Sequence, residues 1–267
     1  MTTWLLLRGL VRESGHWGDF PQALKRHVGR DDAVLAVDMP GNGVLHCETS
    51  PASVAGLLAA CRAQARRQGG RPPYVLVALS LGGMVALEWC HRAAAEVAGC
   101  VVINTSLRRF SPAWQRLQPH NFKRLAGLLR PGLTPLQRER QVLELTSSRP
   151  QRHAGVPALW ADIGRRHPVS RVNALRQLLA AARYLPPTHR PEAPVLVLAS
   201  AGDRLVSPNC SASLSARWAL PMHLHPGAGH DLPLDDPEWV LRRMLDWWTV
   251  QAEFGTASVQ VPGTAFP

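Results

Sequence analysis

Ser80, Asp203 and His230 are residue types that together can attack an acyl carbonyl, and each stands in a turn beside an apolar run. Ser80 closes Tyr74-Val75-Leu76-Val77-Ala78-Leu79, a run with the length of a buried strand, and Leu81-Gly82-Gly83-Met84-Val85-Ala86 opens a run of helix formers. A strand, a sharp turn and a helix lift a hydroxyl clear of the sheet, while small neighbours let strand and helix pass closely. The Leu81 N–H, at the helix start, can face an oxygen that becomes negative. Asp203 follows the strand-like Pro194 to Ala199, which puts a carboxylate at the same edge of the sheet as Ser80. His230 follows the turn Pro226-Gly227-Ala228-Gly229. Taken singly, each has an ordinary alternative: a serine before two glycines as a loop, an aspartate capping its own turn, a structural histidine.

The elements that must position these residues alternate in type. Thr3 to Leu7, Ala33 to Val37, Tyr74 to Leu79 and Cys100 to Ile103 read as buried strands. Between them lie helical stretches that end near His27, near Arg67 after a start at Ser50-Pro51, and near Val97. Such alternation implies parallel pairing with right-handed crossovers and a site at the carboxyl ends of the strands. It breaks after Asn104-Thr105-Ser106, where Phe122 to Leu129, Leu136 to Leu145 and Val172 to Tyr184 read as helices and prolines recur. Strands resume at Pro194 and Pro221 to His225, and Pro237 to Trp248 reads as a closing helix. The expected organisation is a core of residues 1–106 and 191–254, a helical insertion over 107–190 and a flexible tail over 255–267.

Ala78-Leu79-Ser80-Leu81-Gly82 resembles the nucleophile elbow of the α/β-hydrolase family, with Ala78 where that family usually has glycine. Asp38-Met39-Pro40-Gly41-Asn42-Gly43 resembles its D-x-P-G-x-G loop, and Asp203-Arg204-Leu205-Val206-Ser207-Pro208 its acid loop. The chain order Ser80, Asp203, His230 is also the family's order. The resemblance implies an α/β-hydrolase fold: a mostly parallel sheet of about six strands lacking the family's first two, with the insertion as a helical cap. It implies a second oxyanion donor at the Leu10 N–H, after Arg8-Gly9, where the family commonly has His-Gly. Arg8, Trp17, Trp114, Phe122 and Trp160 are the expected substrate contacts, with Arg8 as a cation at the pocket mouth. Other members place the acid after the preceding strand; that slot here holds Asn104, which favours Asp203.

The activity implied is carboxylic ester hydrolysis by a serine esterase, with a thioesterase or a carbon–carbon bond hydrolase as alternatives and a non-catalytic ligand-binding protein as a further one. Ser80 excludes relatives that need an aspartate nucleophile. No cofactor or metal is expected: His223 and His225 lack a carboxylate or cysteine cluster beside them. Five cysteines, without a CxxC pair, argue against a disulfide framework and for the reducing cytoplasm. No apolar run approaches the length of a membrane span, and none of the motifs is one that reads nucleic acid.

The charge is uneven. Between Arg108 and Arg190 lie 16 basic and three acidic residues, a net +13 against +11 for the whole chain, so the remainder carries −2. The basic insertion resembles that of carrier-protein methyl esterases such as the pimeloyl-carrier-protein methyl esterases, which implies an acidic acyl carrier protein as a partner. An arginine-rich composition on solvated helix faces accounts for the same charge.

Overall fold

The protein, described here as a computed structural model over residues 1–128, 130 and 132–257, is built on one six-stranded sheet. Its strands are β1 (Thr3–Leu7), β2 (Ala33–Val37), β3 (Tyr74–Leu79), β4 (Val97–Ile103), β5 (Val195–Ser200) and β6 (Met222–His225). They lie in the order β2-β1-β3-β4-β5-β6, and every neighbouring pair is parallel. Helices α1 (Phe20–Lys25), α2 (Val54–Arg67) and α3 (Leu81–Arg92) alternate with the first four strands. After β4 come α4 (Ala113–Arg116), α5 (Phe122–Gly127), α6 (Pro135–Thr146), α7 (Val156–Arg166) and α8 (Arg171–Arg183), with no strand among the described residues between β4 and β5. Then α9 (Asn209–Trp218) joins β5 to β6, and α10 (Leu232–Asp235) and α11 (Pro237–Ala257) follow.

The sheet is covered on both sides, which is why its strands read as unbroken apolar runs. Successive side chains on a strand point to opposite faces. Leu5, Leu7, Leu76, Ala78, Val102 and Val197 pack on one side with residues of α2, α3 and α9. Trp4, Leu6, Val77, Ile103 and Leu198 pack on the other with α1 and α11. Full burial of each such leucine or valine contributes about 1.5–3 kcal/mol before the entropy of ordering is set against it.

Element boundaries differ from expectation in places, and each difference has a local cause. Ser53, not Ser50, caps α2 by accepting from the Gly56 N–H. Ser50 is held in the preceding loop instead: its N–H donates to Asn173 Oδ1 at 2.9 Å and its carbonyl accepts from Arg176, both residues of α8. α3 stops at Arg92 because Ala93 leaves helical geometry, and β4 starts at Val97, three residues earlier than the apolar run suggests, by pairing with Tyr74. Glu96 anchors this corner through Arg62, Arg66 and the Trp89 indole N–H. The closing helix runs to Ala257, so residues 255–257 are helical; the remainder of the expected tail, residues 258–267, lies outside the described residues.

The helical insertion is bonded to loops that leave the carboxyl ends of the strands. Gln118 Nε2 donates to the Asp203 carbonyl, Asn173 Nδ2 to the Glu48 carbonyl, and the Asp231 N–H to the Thr146 carbonyl. Its last helix is also tied to the core from the side, where the Tyr184 hydroxyl donates to Glu88 Oε2 at 3.0 Å while Arg92 pairs with the other Glu88 oxygen. Tyr184→Phe keeps the ring and leaves a buried carboxylate short of one donor. The expected cost is about 1–2 kcal/mol, a fall in Tm of about 2–8 °C measured by thermal denaturation.

Candidate active site

Ser80 occupies a backbone conformation that few residues tolerate, with φ 57° and ψ −116°. The turn is over-determined by its surroundings. The Ser80 N–H donates to the Ile103 carbonyl, the Ser80 carbonyl accepts from the Gly83 N–H and from the Thr105 hydroxyl, and α3 starts at once. Gly82 makes the close approach possible. A Cβ there would come within 2.7 Å of the Arg8 carbonyl oxygen and closer still to that of Leu7, both backbone atoms that cannot step aside. The start of α3 therefore lies against the end of β1, beside the turn Arg8-Gly9-Leu10. A Cβ on Gly9 would stand 3.1 Å from Ser80 Cβ, so this turn and Ser80 are neighbours.

Asp203 and His230 meet. His230 Nδ1 lies 2.7 Å from Asp203 Oδ2, and both residues are buried. The other carboxylate oxygen, Oδ1, accepts from the N–H groups of Leu205 at 2.8 Å and Val206 at 2.9 Å, which fixes the plane of the carboxylate. Burial works against a charged imidazole, but the charge of Asp203 and its hydrogen bond, helped by Asp231, outweigh it and hold the His230 pKa above its ordinary value.

The His230 loop is braced by residues whose roles the sequence did not disclose. Asn104, in a left-handed conformation at φ 46°, donates through Nδ2 to the carbonyls of Gly229 and His230 at 3.2 and 2.9 Å, and its Oδ1 accepts from the Ser200 N–H. Because Asn104 follows the residue whose carbonyl receives the Ser80 N–H, one short stretch after β4 holds both Ser80 and His230. Asp235 accepts from the Gly229 N–H at 2.7 Å and from the Ser147 hydroxyl and Ser148 N–H, joining the His230 loop to the end of α6. His225 shapes the same loop: its Nδ1 accepts from the N–H groups of Gly227 and Ala228, and its Nε2 meets Asp236.

The Arg8-Gly9-Leu10 turn is gripped by the insertion. Val11, at φ 60°, is a β-branched residue in the left-handed region, a strained state that needs support. Its N–H donates to Gln177 Oε1 on α8 at 2.9 Å, and Gln177 in turn donates to Asn42 Oδ1 at 2.8 Å. Arg12 pairs with Glu139 on α6 at 2.8 Å and lies over the Trp160 ring on α7, 4.4 Å from its centroid. The N–H groups of Leu10 and Leu81 donate no hydrogen bond among the described residues.

The expected substrate contacts fare unevenly. Arg8 is not a cation at a pocket mouth: its side chain is 4% exposed, and Asp231 takes both ends of the guanidinium. Trp17 is buried, stacked on Phe20 and beneath Arg8. Trp160 is buried with Leu143 and Ile163, as core of the insertion. Trp114 and Phe122 are 65% and 54% exposed. The segment between them spends its polar groups on the acid loop, through the Gln115 carbonyl, Gln118 and Asn121, and the two aromatics are left to solvent. Asp38 ties down its own loop by accepting from the N–H groups of Ser14 and Val44, with its pKa pushed up by burial.

The sequence profile of the alpha/beta hydrolase family matches residues 4–243. No curated protein matches the chain by sequence. Among solved structures, a thermophilic esterase from Thermogutta terrifontis is similar at 19% identity and a TM-score of 0.68, covering 94% of this chain and 90% of its own. The esterase RhEst1 from a Rhodococcus species is similar at 17% identity and a TM-score of 0.71, with 92% and 90% covered. A membrane phospholipase A described as a bacterial virulence factor is similar at 20% identity and a TM-score of 0.71, with 94% and 79% covered. At these identities the likeness is one of fold.

Proposed function

Because the chain belongs to the alpha/beta hydrolase family, we propose that it is a serine hydrolase cleaving a carboxylic ester through an acyl-enzyme, with Ser80, His230 and Asp203 as its triad. The observation that carries this reading is the buried 2.7 Å contact between His230 and Asp203, in a loop braced from the same stretch that receives the Ser80 N–H. In this reading His230 Nε2 takes the Ser80 proton as the hydroxyl oxygen attacks the ester carbonyl, and Asp203 keeps the proton of the resting imidazole on Nδ1. The tetrahedral oxyanion is met by the N–H groups of Leu10 and Leu81, each worth about 10²–10³ in rate. Collapse returns the proton from His230 to the leaving alcohol. Water, deprotonated by the same imidazole, then releases the acid and restores Ser80. This route asks for no metal or organic cofactor.

In the same reading the helical insertion over 107–190 is the cap, and its net charge of +13 favours an anionic partner, for which an acidic acyl carrier protein is the proposed class. All five cysteines are free thiols, in keeping with a cytoplasmic site of action. The test is labelling of the purified protein with a fluorophosphonate, followed by peptide mass spectrometry, alongside p-nitrophenyl esters and matched thioesters. One adduct on the Ser80 peptide with ester turnover is expected; an adduct elsewhere, or none, overturns the triad. Faster hydrolysis of a carrier-bound than of a free ester, fading as salt is raised, is expected of the cap; equal rates at low salt remove the carrier partner.

A further inference from the structure

The ion pair between Arg8 and Asp231 has no part in the triad, yet it joins two of the turns that would serve it. Arg8 precedes Gly9 and Leu10, and Asp231 follows His230. The guanidinium meets the carboxylate with both forks, Nη1 to Oδ1 at 3.1 Å and Nη2 to Oδ2 at 2.6 Å. Both side chains are 4% exposed. The guanidinium also lies over the Trp17 ring, 4.9 Å from its centroid, and Trp17 is stacked on Phe20, so the arginine has little freedom to swing. Asp231 is fixed at its backbone as well, donating to the Thr146 carbonyl and accepting from the N–H groups of Leu234 and Asp235.

Burying such a pair adds little to stability, because desolvation of both ions offsets their attraction. A two-pronged contact does fix angle as well as distance between the groups it joins. We propose that Arg8 and Asp231 are positioning residues, a clamp that sets the Leu10 oxyanion donor and the His230 imidazole relative to each other. The proposal rests on the hydrolase reading above and names a device within it.

The pair also has an electrostatic signature. The charged groups acting on His230 are Asp203 from the loop after β5, Asp231 from its own loop, and Arg8 from the turn after β1. Of the clamp's two charges, Asp231 raises the affinity of His230 for its proton and Arg8 lowers it, so the two act in opposite directions, behind the larger influences of burial and Asp203.

The experiment measures p-nitrophenyl butyrate hydrolysis against pH for Arg8→Lys, Arg8→Met, Asp231→Asn and the double variant Arg8→Met/Asp231→Leu. Displacement of either turn is expected to lower kcat by about 10- to 100-fold with little change in KM, since misplacements near 1 Å cost this much. Arg8→Met leaves Asp231 unopposed, and the acid limb of kcat/KM should move to higher pH; Asp231→Asn leaves Arg8 unopposed, and the limb should move to lower pH. The double variant removes both opposing charges, so it is expected to move the limb less than either single uncharged variant while kcat stays low. Arg8→Lys keeps the charge and loses the fork, so it should lose kcat without moving the limb, and it serves where the uncharged variants fail to fold. Folded variants with kcat and limb both within about twofold of wild type overturn the clamp, as does full recovery of kcat in the double variant. A wild-type protein that forms no Ser80 adduct removes the hydrolase reading and the clamp with it; an adduct with unchanged variants removes only the clamp.

Discussion

Ser80→Ala is expected to lower kcat for ester hydrolysis by on the order of 10⁵–10⁶ and to abolish fluorophosphonate labelling, with KM and the fold retained. The size of the effect follows from what the hydroxyl does in the proposed route. It is the atom that bonds to the acyl carbon, and no other hydroxyl is offered by the turn, whose neighbours are Leu79 and Leu81. Its removal leaves only the donors of the oxyanion turn and substrate binding, which retain about 10³–10⁴ over the uncatalysed reaction. The same position tests stored strain. Ser80 sits at φ 57°, and alanine carries the same steric penalty there as serine, so Ser80→Ala should melt close to wild type. Ser80→Gly, for which this region is open, should be more stable than Ser80→Ala by about 1 kcal/mol or more. Thermal denaturation of the two variants checks the strain; turnover checks the chemistry. Residual activity above about one hundredth of wild type in a verified Ser80→Ala preparation would place the nucleophile elsewhere.

What was legible in the sequence is local. Ser80 announces itself because an apolar strand, a sharp turn and a helix start are all written within a few residues, and the glycine after Leu81 is demanded by the carbonyls of Leu7 and Arg8. The parallel sheet follows from alternating strands and helices, and its six strands are there. Asn104 was legible only by what it is not. Its role as a brace between the strand ends and the His230 carbonyl needs the partner 126 residues away.

The same limit hid the rest of the machinery. Arg8 meets Asp231 across 223 positions, Val11 meets Gln177 across 166, and Ser148 meets Asp235 across 87. None of these pairs has a spacing that a helix or strand period would reveal. Arg8 therefore reads as a free cation in the sequence and is a buried, ion-paired one in the fold. Trp114 and Phe122 show the converse. Aromatic residues in a proline-broken helical segment suggest a lining, but which side a short helix turns inward is decided by its polar bonds to the acid loop.

Asp203→Asn is expected to lower kcat by about 10⁴, far more than loss of one hydrogen bond would, because the amide reverses the imidazole. The structure dictates how. Oδ1 of Asp203 accepts from the N–H groups of Leu205 and Val206, so an asparagine must put its oxygen there and turn its NH₂ toward His230. That NH₂ donates to Nδ1, which must give up its proton, and the neutral ring then carries hydrogen on Nε2. A ring protonated at Nε2 cannot take the Ser80 proton. The pH dependence adds a second readout with a defined sign. In the proposed route the base is active only when neutral, and the raised pKa of His230 means that kcat/KM should begin to fall, as pH drops, at a higher pH than for a free imidazole. Without the Asp203 charge the largest remaining influence on His230 is burial, which disfavours its protonated form. The acid limb of the residual activity should accordingly move to lower pH, in the direction opposite to that expected of Arg8→Met. A folded Asp203→Asn protein that keeps more than about a tenth of wild-type kcat would show that Asp203 does not orient the base, and one whose limb stays where it was would show that Asp203 does not set its charge.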